Sequence, residues 1–79
     1  MSNYELVKTL NSMFKFDIKS VQQLNKILEA MGIIVKTGNG WLQTDYGVKF
    51  SQYSCKFFRA NEWKSDLIPQ IALYLQKLR

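Results

Sequence analysis

Gln22, Gln23, Asn25 and Lys26 crowd into one short stretch and are the side chains best suited to chemical recognition. A Gln or Asn amide holds a donor and an acceptor side by side, which suits adenine in a duplex groove, while a Lys ammonium reaches guanine or a phosphate. Lys19, Lys36 and Lys49 add cationic charge suited to phosphates, and Asn39 stands between two glycines, where a turn tip is expected. The same residues have a plainer reading. Amides and lysines on an outer helix face are ordinarily solvated, Glu29 would repel phosphate, and Asn beside Gly recurs in turns for backbone reasons alone.

Bond-making chemistry is poorly provided for. The chain has no His and a single cysteine, Cys55. A zinc site of His and Cys ligands is therefore excluded, as is a His-based acid–base or nucleophile system. Glu5, Asp17, Glu29, Asp45, Glu62 and Asp66 are scattered, and no Gly-rich phosphate cradle precedes a helix. The expectation is a protein that is not an enzyme, with no metal and no cofactor.

The recognition residues need a helix beneath them, and the sequence supplies one. Ser20-Val21-Gln22-Gln23 has the pattern of a capping box with Gln in the fourth position. Behind it Val21, Leu24, Ile27, Leu28 and Met31 form a buried stripe, and the opposite face centres on Gln22, Lys26 and Glu29, flanked by Gln23 and Asn25. Gly32 is the left-handed stop. Ile33 to Lys36 then reads as a strand, Thr37-Gly38-Asn39-Gly40 as a tight turn, and Trp41 to Thr44 as the return strand.

An earlier helix opens on a second capping box, Ser2-Asn3-Tyr4-Glu5, and carries the stripe Leu6, Val7, Leu10, Met13 and Phe14. Phe16 and Ile18 plug the turn between the two helices. Asp45 to Lys64 is less legible, because Val48, Phe50, Tyr53, Phe57 and Phe58 suit a strand or a short helix equally. From Ser65 or Asp66 a last helix buries Leu67, Ile71, Tyr74, Leu75 and Leu78, with Pro69 tolerated in its first turn. Trp41, Leu24, Ile27, Leu28 and Leu10 are expected to share the core.

The 79 residues are read as one domain, 1–79, with 47% hydrophobic and 14% aromatic residues arguing for a folded unit. Eleven Lys and Arg against six Asp and Glu, a net charge of +5, favour an anionic partner. A lone Cys fits a reducing interior, and no apolar run approaches the ~20 residues of a membrane span. With no signal-peptide pattern in its first ten residues, the chain is expected to be cytoplasmic.

Several of these motifs carry a resemblance. Leu24-Asn25-Lys26-Ile27-Leu28, Gly32-Ile33, Trp41-Leu42 and Thr44-Asp45-Tyr46-Gly47 resemble the small winged-helix domains of bacteriophage antirepressors and related phage regulatory proteins. Glu62-Trp63-Lys64 looks like the closing Trp-basic step of the same family. The match covers about half the chain well and its last third loosely. It implies an α+β fold, a winged helix-turn-helix with a β-hairpin wing and a C-terminal helix. It also implies duplex DNA binding in transcription regulation, within a bacterial cell or the host cell of a phage. Such domains usually ride on a larger protein, whereas this chain is read as the domain alone.

On this reading Lys19, Gln22, Gln23, Asn25, Lys26, Lys36, Asn39 and Lys49 are the DNA-binding candidates. Tyr46, Tyr53, Phe57 and Phe58, interleaved with Lys49, Lys56 and Arg59, would suit single strands. The rival reading is a protein-binding module that inhibits a host or phage protein without touching DNA. Off-stripe Leu73, with Tyr74 and Leu78, is the candidate seam for a homodimer or a docking face.

Overall fold

A computed structural model describes residues 1–38, 40–52 and 62–78. Among these residues the order is α1 (Asn3–Phe14), α2 (Val21–Ala30), β1 (Ile34–Thr37), β2 (Gly40–Gln43), a 3₁₀ turn (Gly47–Phe50) and α3 (Leu67–Lys77). The class is α+β, with three α-helices and a two-stranded antiparallel hairpin among the described residues.

The capping box of α1 forms as expected. Ser2 Oγ accepts from the Glu5 amide and Glu5 Oε1 accepts from the Ser2 amide, each at 3.2 Å. The bond from the Ser2 backbone, then that from its hydroxyl, holds the Glu5 carboxyl below its ordinary range. Leu6 and Leu10 are fully buried, but Met13 is 65% exposed and leaves the expected stripe. It sits in the last turn, just before left-handed Lys15 ends the helix at φ 58°. Phe16 and Ile18 then turn inward and are buried. Asn11 holds this turn by using both ends of its amide: Nδ2 donates to the Ile18 carbonyl at 2.8 Å and Oδ1 accepts from the Ile18 amide at 3.0 Å.

At the start of α2, Ser20 Oγ accepts from the Gln23 amide at 3.1 Å. The reciprocal half of that box is shifted, because Gln23 Oε1 accepts from the Lys19 amide at 2.9 Å. Gly32, at φ 79°, closes the other end. Its amide donates to Glu29 and that of Ile33 to Leu28, both at 3.0 Å, the pair of bonds that satisfies the last carbonyls of a helix. Leu28 and Ile33 are fully buried beside that closure.

β1 pairs with β2 in the register Ile34–Gln43, Val35–Leu42, Lys36–Trp41 and Thr37–Gly40. Thr44 clamps the hairpin back onto the end of α2. Its amide donates to the Ile33 carbonyl at 2.9 Å, and its hydroxyl donates to Gly32 at 2.5 Å while accepting from Gly47 at 3.0 Å. Gly47 is buried against Ile33, where a Cβ would stand 1.9 Å from the Ile33 carbonyl oxygen. Gly32-Ile33 and Thr44-x-x-Gly47 are therefore two halves of one joint.

Trp63 is fully buried and ties three segments together. Its amide and carbonyl bond to Met1, each at 2.7 Å, and its Nε1 donates to Asn3 Oδ1 at 2.7 Å. Ser51 pairs with it as an isolated bridge, and Ser51 Oγ also accepts from buried Gln43 Nε2 at 3.1 Å.

Helix α3 packs on α1. It starts after Asp66, whose side chain makes no capping bond, and Pro69 falls in its first turn. Leu67, Ile71 and Ala72 are buried, with Ile68 and Leu75 packed against them. Leu78 does not join this stripe. It lies past the last helical residue and is 67% exposed. Trp41 and Ile27 are likewise not core residues in full: they are half-buried and packed against the core that Leu10, Leu24 and Leu28 share.

Candidate nucleic-acid interface

Helix α2 presents Gln22, Gln23, Lys26 and Glu29 to solvent. At 100° per residue Gln22 and Lys26 lie 40° apart and Gln22 and Glu29 about 20° apart, so the three stand on one strip. Asn25 does not belong to it. Its side chain is among the buried polar groups, and its Oδ1 has no hydrogen-bond partner among the described residues. The expected place of Asn25 on the outward face of α2 is thereby corrected. It sits at the edge of the buried arc next to Val21 and Leu28, one step too far round the helix to face outward.

Gln22 and Gln23 differ as well. The Gln23 carbonyl oxygen is engaged in capping Lys19, so bidentate pairing with a base would require breaking that bond. Gln22 carries no such duty. Lys19 stands just before the helix, with its ammonium 3.8 Å from Asp17 and both side chains largely in water. A pair so exposed is worth little and leaves the lysine available to a phosphate.

The hairpin supplies a second cationic point. Lys36 is exposed, and its ammonium lies 5.4 Å from the centroid of the Trp41 ring. The register explains the pairing, since it sets these two residues opposite one another. Trp41 is thus part of the hairpin's outer chemistry as well as a lid on the core. The sequence contained the signal, because the length of the turn determines the partners. Lys49, in the 3₁₀ turn, lies 5.8 Å from the centroid of the Tyr46 ring, itself 44% exposed. Asn39 lies outside the described residues, as do Tyr53, Cys55, Lys56, Phe57, Phe58 and Arg59.

Of the candidate seam, Leu73 and Leu78 are exposed and Tyr74 is half-buried. Leu73 and Tyr74 line a shallow groove with Ala30, Met31, Tyr46, Gln70 and Lys77. Sequence reasoning did not join these residues, because the groove exists only where the end of α2 meets α3. Among the described residues no helix is long and apolar enough to cross a membrane. The chain matches no protein-family model, no curated protein and no solved structure.

Proposed function

We propose that this protein is a small regulatory protein of the phage or mobile-element type, with a winged-helix fold that binds duplex DNA. In this reading α2 is the recognition helix and the β1–β2 hairpin is the wing. The observation that carries it is the exposed strip of Gln22 and Lys26 on a helix joined through Gly32 to a hairpin bearing exposed Lys36. Gln22 reads a base edge, Lys26 reaches a base or phosphate, and Lys19, Lys36 and Lys49 neutralise phosphates. Glu29 opposes the contact and confines it to the first two turns of α2.

The net charge of +5 supplies the long-range attraction that brings such a chain to a polyanion. Titration of labelled duplex DNA at low and at moderate salt tests the reading. Affinity falling steeply with salt is the expected result, because each neutralised phosphate releases counterions. Absence of binding at both salt concentrations would overturn it.

A further inference from the structure

One hydroxyl joins the three elements that carry the candidate phosphate contacts. Thr44 Oγ1 donates to the Gly32 carbonyl at 2.5 Å and accepts from the Gly47 amide at 3.0 Å. Gly32 stops α2, which bears Lys26, and Gly47 opens the 3₁₀ turn, which bears Lys49. Thr44 itself follows β2, whose partner strand bears Lys36. All three lysines are exposed. With its proton committed to Gly32, the hydroxyl is no free donor for a phosphate.

The bond to Gly32 fixes an angle, because it ends on a peptide group already held by α2. The amide of that same peptide unit, the Ile33 amide, donates to the Leu28 carbonyl at 3.0 Å. A peptide unit is planar, so the direction of α2 passes through it to Thr44 and the hairpin. The Thr44 amide, by contrast, donates to the Ile33 carbonyl at 2.9 Å and only lengthens the hairpin's own ladder. Gln43 ties the hairpin to Ser51 rather than to α2. Burial of Ile34 at the hairpin's base is non-directional and leaves the angle to hydrogen bonds. Lys36 stands three residues past Ile33, about 10 Å along an extended strand. A swing of about 20° at Ile33 moves its Cα by about 3–4 Å, more than a hydrogen bond tolerates.

We infer that Thr44 is a positioning residue of the interface, a role that rests on the DNA-binding reading. Its hydroxyl sets the angle between α2 and the hairpin, so Lys26 and Lys36 reach phosphates of one duplex together. Lys49 is held to the same joint through Gly47. Thr44 makes no contact with DNA, so loss of its hydroxyl is felt through the lysines.

Thr44→Val removes the hydroxyl and Thr44→Ser keeps it. Residual dipolar couplings of the ¹⁵N-labelled protein, measured without DNA, report the angle. In the parent and in Thr44→Ser, amides of α2 and of both strands should fit one alignment tensor. In Thr44→Val the strand amides should depart from the tensor of α2 while circular dichroism stays that of the parent. With labelled duplex, Thr44→Val should bind roughly tenfold more weakly. It should also flatten the salt slope by roughly one phosphate's worth, although no charge has been removed. Lys36→Ala should then cost less in the Thr44→Val background than in the parent, because that contact is already lost. Thr44→Ser should bind like the parent.

Separate tensors in the parent, or one tensor in Thr44→Val, overturn the role whatever the DNA result. So does a parent that binds duplex while Thr44→Val matches it in affinity and salt slope; the DNA-binding reading then stands. A weaker affinity explained by a smaller folded fraction, with the salt slope unchanged, makes Thr44 merely structural and overturns the role as well. Should Thr44→Val unfold the chain, Thr44→Ala takes its place, and the parent's couplings still decide the joint. A parent that binds duplex at neither salt concentration overturns the DNA-binding reading itself, and this role with it.

Discussion

At the scale of single residues, Gly47 and Asn25 show how differently two buried positions behave. Gly47 has no room for a methyl group, because the nearest atoms belong to the Ile33 backbone and cannot swing aside. Gly47→Ala should cost at least ~1–3 kcal/mol through forced backbone displacement, read as a lower denaturant midpoint at unchanged slope. Asn25 has the opposite problem, a buried acceptor with no partner among the described residues, a condition that costs ~1–3 kcal/mol. Asn25→Leu should therefore match or exceed the parent in thermal stability and leave DNA sequence preference alone. Gln22→Ala, by contrast, should remove ~1–3 kcal/mol of discrimination between bases if Gln22 reads one. A competition assay over variant duplexes separates the two, and relaxed preference in Asn25→Leu would return that residue to the interface.

Helices α1 and α2 are each held by a side-chain bond at the N-terminal end. The Glu5 carboxyl is held below its ordinary range by the capping box, so its charged form is bound more tightly in the folded state. That contribution is present at neutral pH, declines as pH falls through the ordinary carboxylate range, and is gone below the depressed folded value. Glu5→Gln should consequently lose more stability at neutral pH than in strong acid, and equal losses at both would deny the Glu5 carboxylate that role. If the chain binds duplex DNA as proposed, α2 and the hairpin act together, and Lys26→Ala and Lys36→Ala should each weaken binding about equally across sequences. Each should also flatten the salt slope by roughly one phosphate's worth, as measured from affinities over a range of salt. The caps, the Gly32 stop and the turn were legible in the sequence because each is a bond between residues close in the chain. Gln23 departed from that pattern, its side-chain carbonyl accepting from the Lys19 amide, one residue before the amide that a capping box uses.

For the whole molecule, Leu28 is the pivot: it is fully buried and its carbonyl closes α2. Leu28→Ala should cost ~2–5 kcal/mol, a large share of the ~5–15 kcal/mol that holds a domain together. A variant melting like its parent would contradict this packing. The sequence by itself determined the helices, the existence of the hairpin and the outward placement of Gln22 and Lys26, since periodicity and turn chemistry act over a few residues; the strands pair one residue closer to the turn than expected, through Thr37 and Gly40. Tertiary structure alone decided the rest. Trp63 closes the core by bonding to Met1 and Asn3 some sixty residues away. Asn25 is buried because the arc of α2 that neighbours cover is wider than its apolar stripe. Met13 and Leu78 are exposed although periodicity sets them on the apolar stripes, and the groove depends on how the end of α2 and α3 approach one another. Each of these follows from contacts between segments distant in the chain, and helical periodicity holds no information about where a partner segment ends.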